Sequence, residues 1–351
     1  MTEPARIGYY AHHHGRGHVA RALAILARVR AAATLFTSAP VPTDALPPNV
    51  GVCVLPPDLP RPGGEEPPPG GLHYAPLAHP GVCERMAAIA AWAARGPALM
   101  VVDVSVEVAV FARLLSLPVV VVRQHGERTD APHQAAYEAA VACLAPFPEA
   151  LESPGTPETV RRATVYAGGL SRFAGRARPQ TFCPRTVCLV GGGGSGGPES
   201  SPAWTSQDVA DAARATPGWT WTWVGGDAST DTPASLRTPG WIDDPFPLLA
   251  SSEVVVASGG HNATMEAAAA GRPLVVIPEA RPFQEQVRKA EALARAGAAT
   301  ALERWPAPEA WADILDRASR RDPAPLRALA DPDAPARAAQ LLDDLAVRYA
   351  V

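Results

Sequence analysis

The feature that most constrains the fold is a regular alternation between short β-branched runs and longer stretches rich in alanine and leucine. Runs such as LMVVDV and PVVVVR are apolar at nearly every position, as strands of a parallel sheet covered by helices on both faces must be. Strand–helix alternation of this kind predicts an α/β protein built on parallel sheets. No internal repeat at solenoid or propeller periods competes with this interpretation.

The pattern runs through the chain twice. Strands are predicted at residues 6–10, 34–38, 50–55, 99–104, 118–123 and 164–167, then at 186–190, 220–224, 254–257 and 274–277. Helices are predicted at 18–30, 81–94, 107–116, 132–141 and 334–349. A polar, arginine-rich stretch (SRFAGRARPQ) precedes the restart near Pro184. This restart predicts two domains, and a length of 351 residues agrees, at roughly 150 residues per domain.

Composition excludes several classes of protein. A net charge of −4 and a pI near 6.1 argue against a nucleic-acid partner. No apolar run approaches the roughly 18 residues of a membrane span, and the first residues lack the regions of a signal peptide. The five cysteines have no metal-type spacing and fit a reducing compartment, so a cytoplasmic location is expected. The single lysine, Lys289, is attributed to genome composition rather than to function.

In parallel sheets ligands bind at the carboxyl ends of the strands, so the loops that follow strands are candidate sites. The first is YAHHHGRGH, residues 10–18. Gly15 and Gly17 let the backbone approach a ligand, and His18 is expected at the start of the next helix, facing the crevice. The alternative is a tight turn with a capping histidine. Neither carboxylate nor cysteine neighbours these histidines in the sequence, so no metal site is predicted.

Two further loops are rich in glycine. VGGGGSGG, residues 190–197, predicts a backbone nest for a phosphate or a flap over one, rather than a flexible linker. It lacks the GK[ST] ending of a P-loop. ASGGHNATMEAAAAG, residues 257–271, predicts a strand end, a turn and a helix whose first amides meet a phosphate. Glu266 stands among alanines near that helix start, where its carboxylate could accept from two vicinal hydroxyls; the alternative is a solvated surface glutamate.

Residues 241–299 (WIDDPFPLLASSEVVVASGGHNATMEAAAAGRPLVVIPEARPFQEQVRKAEALARAGAA) resemble the GT-B glycosyltransferases. The similarity is to the lipid-II-forming N-acetylglucosaminyltransferases of family 28 and to the UDP-glycosyltransferases, and it extends weakly over the first half. It implies two Rossmann-like parallel-sheet domains facing each other across a cleft. The first, 1–170, would bind the acceptor and the second, 184–333, the nucleotide-sugar, while the final helix, 334–351, packs back on the first.

The resemblance also implies residue roles for the donor. The Trp241–Ile242 backbone would hold a uracil edge, the loop at 260–264 the diphosphate, and Glu266 the ribose hydroxyls. Side chains at Glu285 and Gln286 would bind the sugar. The full set of expected donor-binding residues is Gly193, Gly194, Ser195, Trp241, Ile242, Gly260, His261, Asn262, Ala263, Thr264, Glu266, Phe283, Glu285 and Gln286.

Two positions depart from the family pattern. Ser258 stands where many UDP-glycosyltransferases have a histidine, so phosphate contact would rely on amides, with His261 as a substitute. Glu285–Gln286 replaces the two consecutive glutamines of the lipid-II enzymes. A carboxylate only accepts hydrogen bonds, as is common with hexose hydroxyls, so a hexose is expected rather than N-acetylglucosamine.

For catalysis, His18 holds the position of the family's catalytic histidine, and Asp103 ends the LMVVD strand where related enzymes orient that histidine. The alternative for Asp103 is a helix N-cap. The expected acceptor contacts are His13, His14, Gly17, Arg123, His125 and Arg128, although an exposed loop is equally compatible with the last three. The leaving diphosphate would be stabilised by amides, with no metal and no cofactor.

The resulting prediction is a hexosyltransferase that moves a sugar from a UDP-linked donor to a hydroxyl or amine acceptor with inversion. The alternatives are a nucleotide-sugar 2-epimerase and a non-catalytic nucleotide-sugar-binding accessory protein. Peripheral contact with a membrane and the oligomeric state are left open by the sequence.

Overall fold

The computed structural model describes residues 6–13, 17–42, 46–61, 66–191, 201–227 and 232–349. Within these ranges the first half forms a seven-stranded parallel sheet of order β3-β2-β1-β4-β5-β6-β7. Its strands are β1 (Arg6–Ala11), β2 (Ala32–Thr37), β3 (Val50–Val54), β4 (Ala98–Asp103), β5 (Val119–Val122), β6 (Ala142–Ala145) and β7 (Thr164–Tyr166). Its helices are α1 (Gly17–Leu26), α2 (Pro80–Ala93), α3 (Val106–Leu114), α4 (Ala131–Ala139) and α5 (Glu158–Arg162).

The second half forms, over the same described ranges, a six-stranded parallel sheet of order β10-β9-β8-β11-β12-β13. Its strands are β8 (Cys183–Val190), β9 (Thr220–Val224), β10 (Leu236–Gly240), β11 (Ser252–Ser258), β12 (Leu274–Ile277) and β13 (Thr300–Ala301). The remaining helices are α6 (Ser206–Ala215), α7 (Phe246–Ser251), α8 (His261–Ala270), α9 (Glu285–Arg295), α10 (Trp311–Ser319), α11 (Ala324–Arg327) and α12 (Ala334–Arg348).

The central strands explain why this architecture forms. Every residue of β4, β5 and β12 is buried, and so is every residue of β11 except Glu253. Strands that are buried on both faces need helices on both sides, which is what the alternating sequence supplies. The predicted fold class, two Rossmann-like parallel-sheet domains, is confirmed.

Three strands of the structure were not predicted, and α5, α6, α7, α9, α10 and α11 had no predicted range. β6 reads ACLA and has no β-branched residue, so its strand character comes from pairing between β5 and β7. β10 contains Pro239 and Gly240 and lies at a sheet edge, where proline is tolerated. β13 has two residues and α5 has five, both too short for a periodic signal. Edge and short elements depend on tertiary context more than on propensity.

The last helix packs on the first sheet. Ala338 and Leu342 of α12 are fully buried in the same core as Ile7 of β1 and Ile25 of α1. The Asp343 carboxylate accepts from the backbone amides of Arg30 and Ala31 at 3.1–3.2 Å, just beyond α1. α12 therefore belongs structurally with the first sheet, although it follows the second in the chain.

The two sheets meet at a cleft of about 880 Å³, called the cleft below. Its walls include residues that follow strands of both sheets, such as His12, Gln124, Gly259 and Glu279. The carboxyl ends of the two sheets thus face each other, which is where parallel sheets bind ligands. The backbone amide of Glu127 donates to the Phe283 carbonyl at 2.7 Å and joins the two halves directly.

Among the described residues, no helix has the length and apolar character required to cross a bilayer.

Candidate active site

A histidine and a buried carboxylate meet at one wall of the cleft. The β1–β4 register pairs Ala11 with Asp103, so the loop after β1 and the end of β4 come together. His18, the second residue of α1, places its Nδ1 2.9 Å from Asp103 Oδ1. Donation from Nδ1 to this carboxylate leaves Nε2 as the ring nitrogen that can accept a proton. The pairing has the geometry of a general base with its orienting acid.

An arginine fixes the carboxylate in place. Arg21, one turn after His18 on α1, donates from Nε to Asp103 Oδ2 at 2.8 Å and from Nη2 to Oδ1 at 2.5 Å. The Tyr9 hydroxyl donates to Oδ2 at 3.1 Å, and Asp103 is fully buried. Burial acts to raise the pKa of Asp103, but Arg21 and His18 outweigh it and hold that pKa well below its usual range. The carboxylate therefore stays ionised over the ordinary pH range.

The N-cap alternative for Asp103 does not apply, because Ser105 caps α3. Ser105 is extended, its Oγ accepts from the Val108 amide at 3.2 Å, and it donates to Glu107 at 2.9 Å. Glu107 in turn accepts from the backbone amides of His73 and Tyr74. Asp103 therefore does not cap α3 and instead contacts His18 and Arg21 of α1.

We expect Ser105→Ala to lower the free energy of unfolding by about 1 kcal/mol, the usual cost of removing an N-cap side chain. Urea unfolding followed by circular dichroism measures it. The matched control is Ser319→Ala, at the carboxyl end of α10, which removes a hydroxyl that caps no helix start. Equal effects of the two substitutions would contradict the assignment of Ser105 as the cap.

Facing the histidine, the start of α8 opens into the cleft. β11 ends at Ser258, and a Cβ on Gly259 would lie 2.8 Å from the Gln286 carbonyl oxygen, so only glycine fits. Gly260 is the N-cap of α8 and has no side chain to accept from the first-turn amides. Gly260, His261 and Asn262 line the cleft. A helix N-terminus in this arrangement favours an anionic group.

Beside it, two acidic residues shape the entrance to α9. Glu279 is buried, accepts from Gln286 Nε2 at 2.8 Å and from Arg281, and its own amide donates to Gln286 Oε1. Glu285 accepts from Arg128 Nη2 of the first domain at 3.0 Å. With the Gln124 amide oriented to satisfy both neighbours, it donates to Glu285 and accepts from Arg21. A polar chain therefore runs from Asp103 across the cleft to Glu285.

Comparison with known proteins agrees with this geometry. Residues 238–318 match the model of the glycosyltransferase family 28 C-terminal domain. MurG of Acinetobacter baumannii superposes with a TM-score of 0.62 at 17% identity, over 97% of this chain and 100% of that one. UGT2 of Phytolacca americana, solved with UDP-2fluoro-glucose and pterostilbene, gives 0.67 at 13% identity, over 99% and 100%. The chain has the GT-B fold and resembles the glycosyltransferases that share it.

Curated relatives match a shorter stretch. An uncharacterized glycosyltransferase of Methanosarcina mazei is 29% identical over 96 residues, which is 26% of this chain and 25% of the relative. One from Methanosarcina acetivorans is 31% identical over 94 residues, 25% and 24% of the respective lengths. The chain thus spans about a quarter of the length of the curated relatives that it matches.

Several predicted residues line the cleft of this GT-B fold. From the first domain these are His13, Gly17, His18, Arg123, His125 and Arg128, and from the second Gly260, His261, Asn262, Ala263, Phe283, Glu285 and Gln286. His14, Gly193, Gly194 and Ser195 lie outside the described residues. Asp58 belongs to a proline-rich loop at residues 56–80. It lies 3.4 Å from His13 Nδ1, a carboxylate that sequence reasoning did not place there.

The predicted nucleoside contacts lie apart from the cleft lining. Glu266 is 9% exposed, and its Oε1 accepts from Arg172 Nε at 2.8 Å. Arg172 also donates to the carbonyl of Asp243, which follows Trp241 and Ile242 in the chain. Trp241 is 59% exposed. Burial raises the pKa of Glu266, and Arg172 opposes that rise. The two predicted contacts are therefore neighbours through Arg172, which already occupies Oε1 of Glu266. Thr264 is fully buried, and its hydroxyl bonds to the Gly260 and His261 carbonyls.

Arg123 is placed differently from its predicted role. Its guanidinium donates to both Glu152 oxygens, at 2.6 and 3.1 Å, and both side chains are almost fully buried. Tyr166 also donates to Glu152, at 2.6 Å. Burial acts to raise the pKa of Glu152, but the hydrogen bonds from Arg123 and Tyr166 lower it to about 2. Arg123 thus stabilises the segment after β6, and its charge is already neutralised where an acceptor contact was expected.

Sequence reasoning missed a cluster on the first-domain wall of the cleft. His73 Nε2 lies 2.5 Å from Asp130, and His133 Nδ1 contacts the same carboxylate, so the three could hold a metal ion. Arg128 Nη1 lies 2.9 Å from His133 Nε2, which assigns the His133 proton to Nδ1. A cation there would displace that proton and face the guanidinium. The three side chains therefore fit a hydrogen-bonded network better than a metal site. Through His73, this network links the proline-rich loop to the start of α4.

Proposed function

We propose that this protein is a glycosyltransferase that moves a hexose from a UDP-linked donor to a hydroxyl or amine acceptor with inversion. One observation carries the proposal. The His18–Asp103 pair, at the start of α1 and the end of β4, opens into the same cleft as the anion-favouring N-terminus of α8. A single displacement at a sugar carbon requires a base on one side and a site for an anionic leaving group on the other. His18 and the α8 N-terminus lie on opposite walls of the cleft.

The proposed chemistry assigns each group a step. The acceptor hydroxyl gives its proton to His18 Nε2 as its oxygen forms a bond to the sugar C1. The bond from C1 to the diphosphate oxygen breaks, and its electron pair leaves with the nucleoside diphosphate. The α8 amides stabilise that leaving charge, while ionised Asp103 stabilises the imidazolium. Because these amides are assigned the leaving charge, the proposal includes no metal and no cofactor.

Donor identity is supported by the resemblance of residues 241–299 to UDP-glycosyltransferases and by the solved neighbour complexed with UDP-2fluoro-glucose. Glu285, an acceptor of hydrogen bonds at the expected sugar position, supports a hexose. The coarser function, sugar transfer, rests on the family 28 domain match together with the cleft.

The contacts of the carboxylates favour transfer over epimerisation. An epimerase needs acidic side chains that are available to exchange protons. Glu107 accepts from two backbone amides and Ser105, Glu279 is held by Arg281 and Gln286, and Glu285 pairs with Arg128. Each carboxylate is already engaged as a hydrogen-bond acceptor. His18 is the cleft side chain best placed to take a proton.

The test is thermal and chemical stability of the protein against UDP, dTDP, GDP and ADP, in wild type and in Glu266→Ala. A ligand that binds the folded state alone adds about 2.7 kcal/mol at a hundredfold excess over Kd. We expect UDP to stabilise the wild type, and we expect the affinity for UDP to be at least tenfold lower in Glu266→Ala. The matched control Glu291→Ala, on the exposed side of α9, retains it. No stabilisation by any nucleotide would overturn the proposed function, and formation of an epimer without UDP release would support the epimerase.

A further inference from the structure

The cleft contains a buried lysine that has no hydrogen-bond partner among the described residues. Lys289, on α9, is 2% exposed and lines the cleft, and it is the only lysine of the chain. In the described part of the structure its Nζ has no hydrogen-bond partner, and the ring of Phe147 has its centroid 5.9 Å away. A buried ammonium without a partner is unfavourable, so a lysine is retained there at a cost to the empty protein.

Among the described residues, no carboxylate hydrogen-bonds to Lys289 Nζ. His125 and His261 each direct Nε2 to a backbone carbonyl, of Leu151 and Leu170, at 3.1 Å, which places their protons on Nε2. Desolvation, followed by the charge of Lys289, lowers the pKa of both rings well below 6.5, so they are neutral. Glu285 is the carboxylate that acts on Lys289, and it already pairs with Arg128.

We propose that Lys289 Nζ is an anion-binding contact of the cleft, which receives an oxyanion of a substrate, either a phosphate or a carboxylate. The site is bounded by His125, His261 and Phe147, and His261 is also the first residue of α8. An oxyanion between them would meet the helix N-terminus and the ammonium together. The inference rests on the proposed function for the identity of the substrate, but the orphaned Nζ is independent of it.

The proposal has a consequence for pH. Burial, together with the charge of Arg21 and against the attraction of Glu285, lowers the pKa of Lys289 to about 7. An anion favours the ammonium and raises that pKa, so binding takes up a proton above neutrality. Affinity is then greatest below pH 7 and falls by about tenfold per pH unit above it, until the pKa of the bound form is reached. The neighbouring His125 and His261 do not titrate in this range.

Because the chain has one lysine, isotope-labelled lysine gives one side-chain resonance, whose pH titration reports Lys289 directly. We would titrate it alone and with pyrophosphate, UDP, UDP-glucose, UDP-glucuronate and free glucuronate. A phosphate ligand predicts a pKa rise of at least one unit with pyrophosphate and with UDP. A carboxylate ligand predicts that rise with UDP-glucuronate or glucuronate and not with UDP-glucose.

Affinity provides the second measurement. Lys289→Met keeps the length of the side chain and removes a buried charge, so the protein should fold at least as stably. We expect it to bind the responding anion at least tenfold more weakly and to lose the pH dependence. Arg295→Met, on the exposed last turn of the same helix, keeps wild-type affinity.

The outcomes separate the two proposals. If the wild type binds UDP but no anion shifts the pKa of the lysine resonance, the proposed role of Lys289 is wrong and the proposed transferase function is unaffected. A wild type that binds no nucleotide overturns the transferase, and the pyrophosphate and glucuronate titrations still decide Lys289. Equal affinities of wild type and Lys289→Met for all five compounds also overturn the inference.

Discussion

Replacing His18 by alanine is expected to lower the turnover of sugar transfer by about 10²- to 10⁴-fold, the usual contribution of a positioned general base. Nucleotide affinity should stay within about twofold, because the ring contacts Asp103 and Arg21 rather than the α8 loop. The measurement is the rate of UDP release from a UDP-sugar, with water or an acceptor from a panel, alongside the UDP-induced gain in stability.

The chain offers a matched control for this variant. His79 caps α2 and lies outside the cleft lining, so His79→Ala removes the same ring and should keep wild-type turnover while losing some stability. Turnover of His18→Ala within threefold of wild type would refute the assignment of the base. Loss of both turnover and UDP binding would mean that His18 supports the structure of the cleft instead.

The His18–Asp103 pair was within reach because of the resemblance to the GT-B glycosyltransferases, which assigned a role to each residue. The residues alone placed His18 at the start of a helix after the first strand and Asp103 at the end of a buried strand, where parallel sheets bind ligands. The structure adds the register, with Ala11 opposite Asp103. The same logic located the α8 loop, where a strand end and consecutive glycines announce a close approach of backbone to ligand.

Side-chain partners from distant segments were not within reach. Arg123 is committed to Glu152, 29 residues later, and Glu266 to Arg172, 94 residues earlier, and neither pairing leaves a trace in local spacing. Arg21 is an intermediate case. Three residues after His18 on a helix, it had to share a face with the histidine, and that spacing was a usable signal.

Lys289 shows a different limit. As a lone lysine among arginines, it was attributed to genome composition. In the structure it lies three residues after Gln286, on the same face of α9, and is buried in the cleft. The usable signal was its position: α9 has two arginines, the half-buried Arg288 and the exposed Arg295, while its one lysine lies on the buried side. Burial of a charge is visible only once the fold is known.

Asp103→Asn is expected to lower the free energy of unfolding by about 3–5 kcal/mol, the cost of breaking a buried ion pair from one side. Arg21 is 4% exposed and loses its counter-ion, while an asparagine amide can accept through one oxygen where the carboxylate accepts through two. Urea unfolding at pH 7 measures the loss, and turnover should fall with it, because His18 loses its anionic partner.

The same substitution should flatten the acid dependence of stability. The pKa of Asp103 is lowered in the folded protein, so its contribution is fully present above the unfolded value, about 3.9, and is lost as the pH falls through the lower folded value. Wild type should therefore lose more stability than Asp103→Asn between about pH 5 and 3. The double variant Arg21→Gln/Asp103→Asn removes both charges and should recover part of the loss at pH 7. If the double variant is no more stable than Asp103→Asn, the cost lies in packing around β4 and not in an unpaired guanidinium.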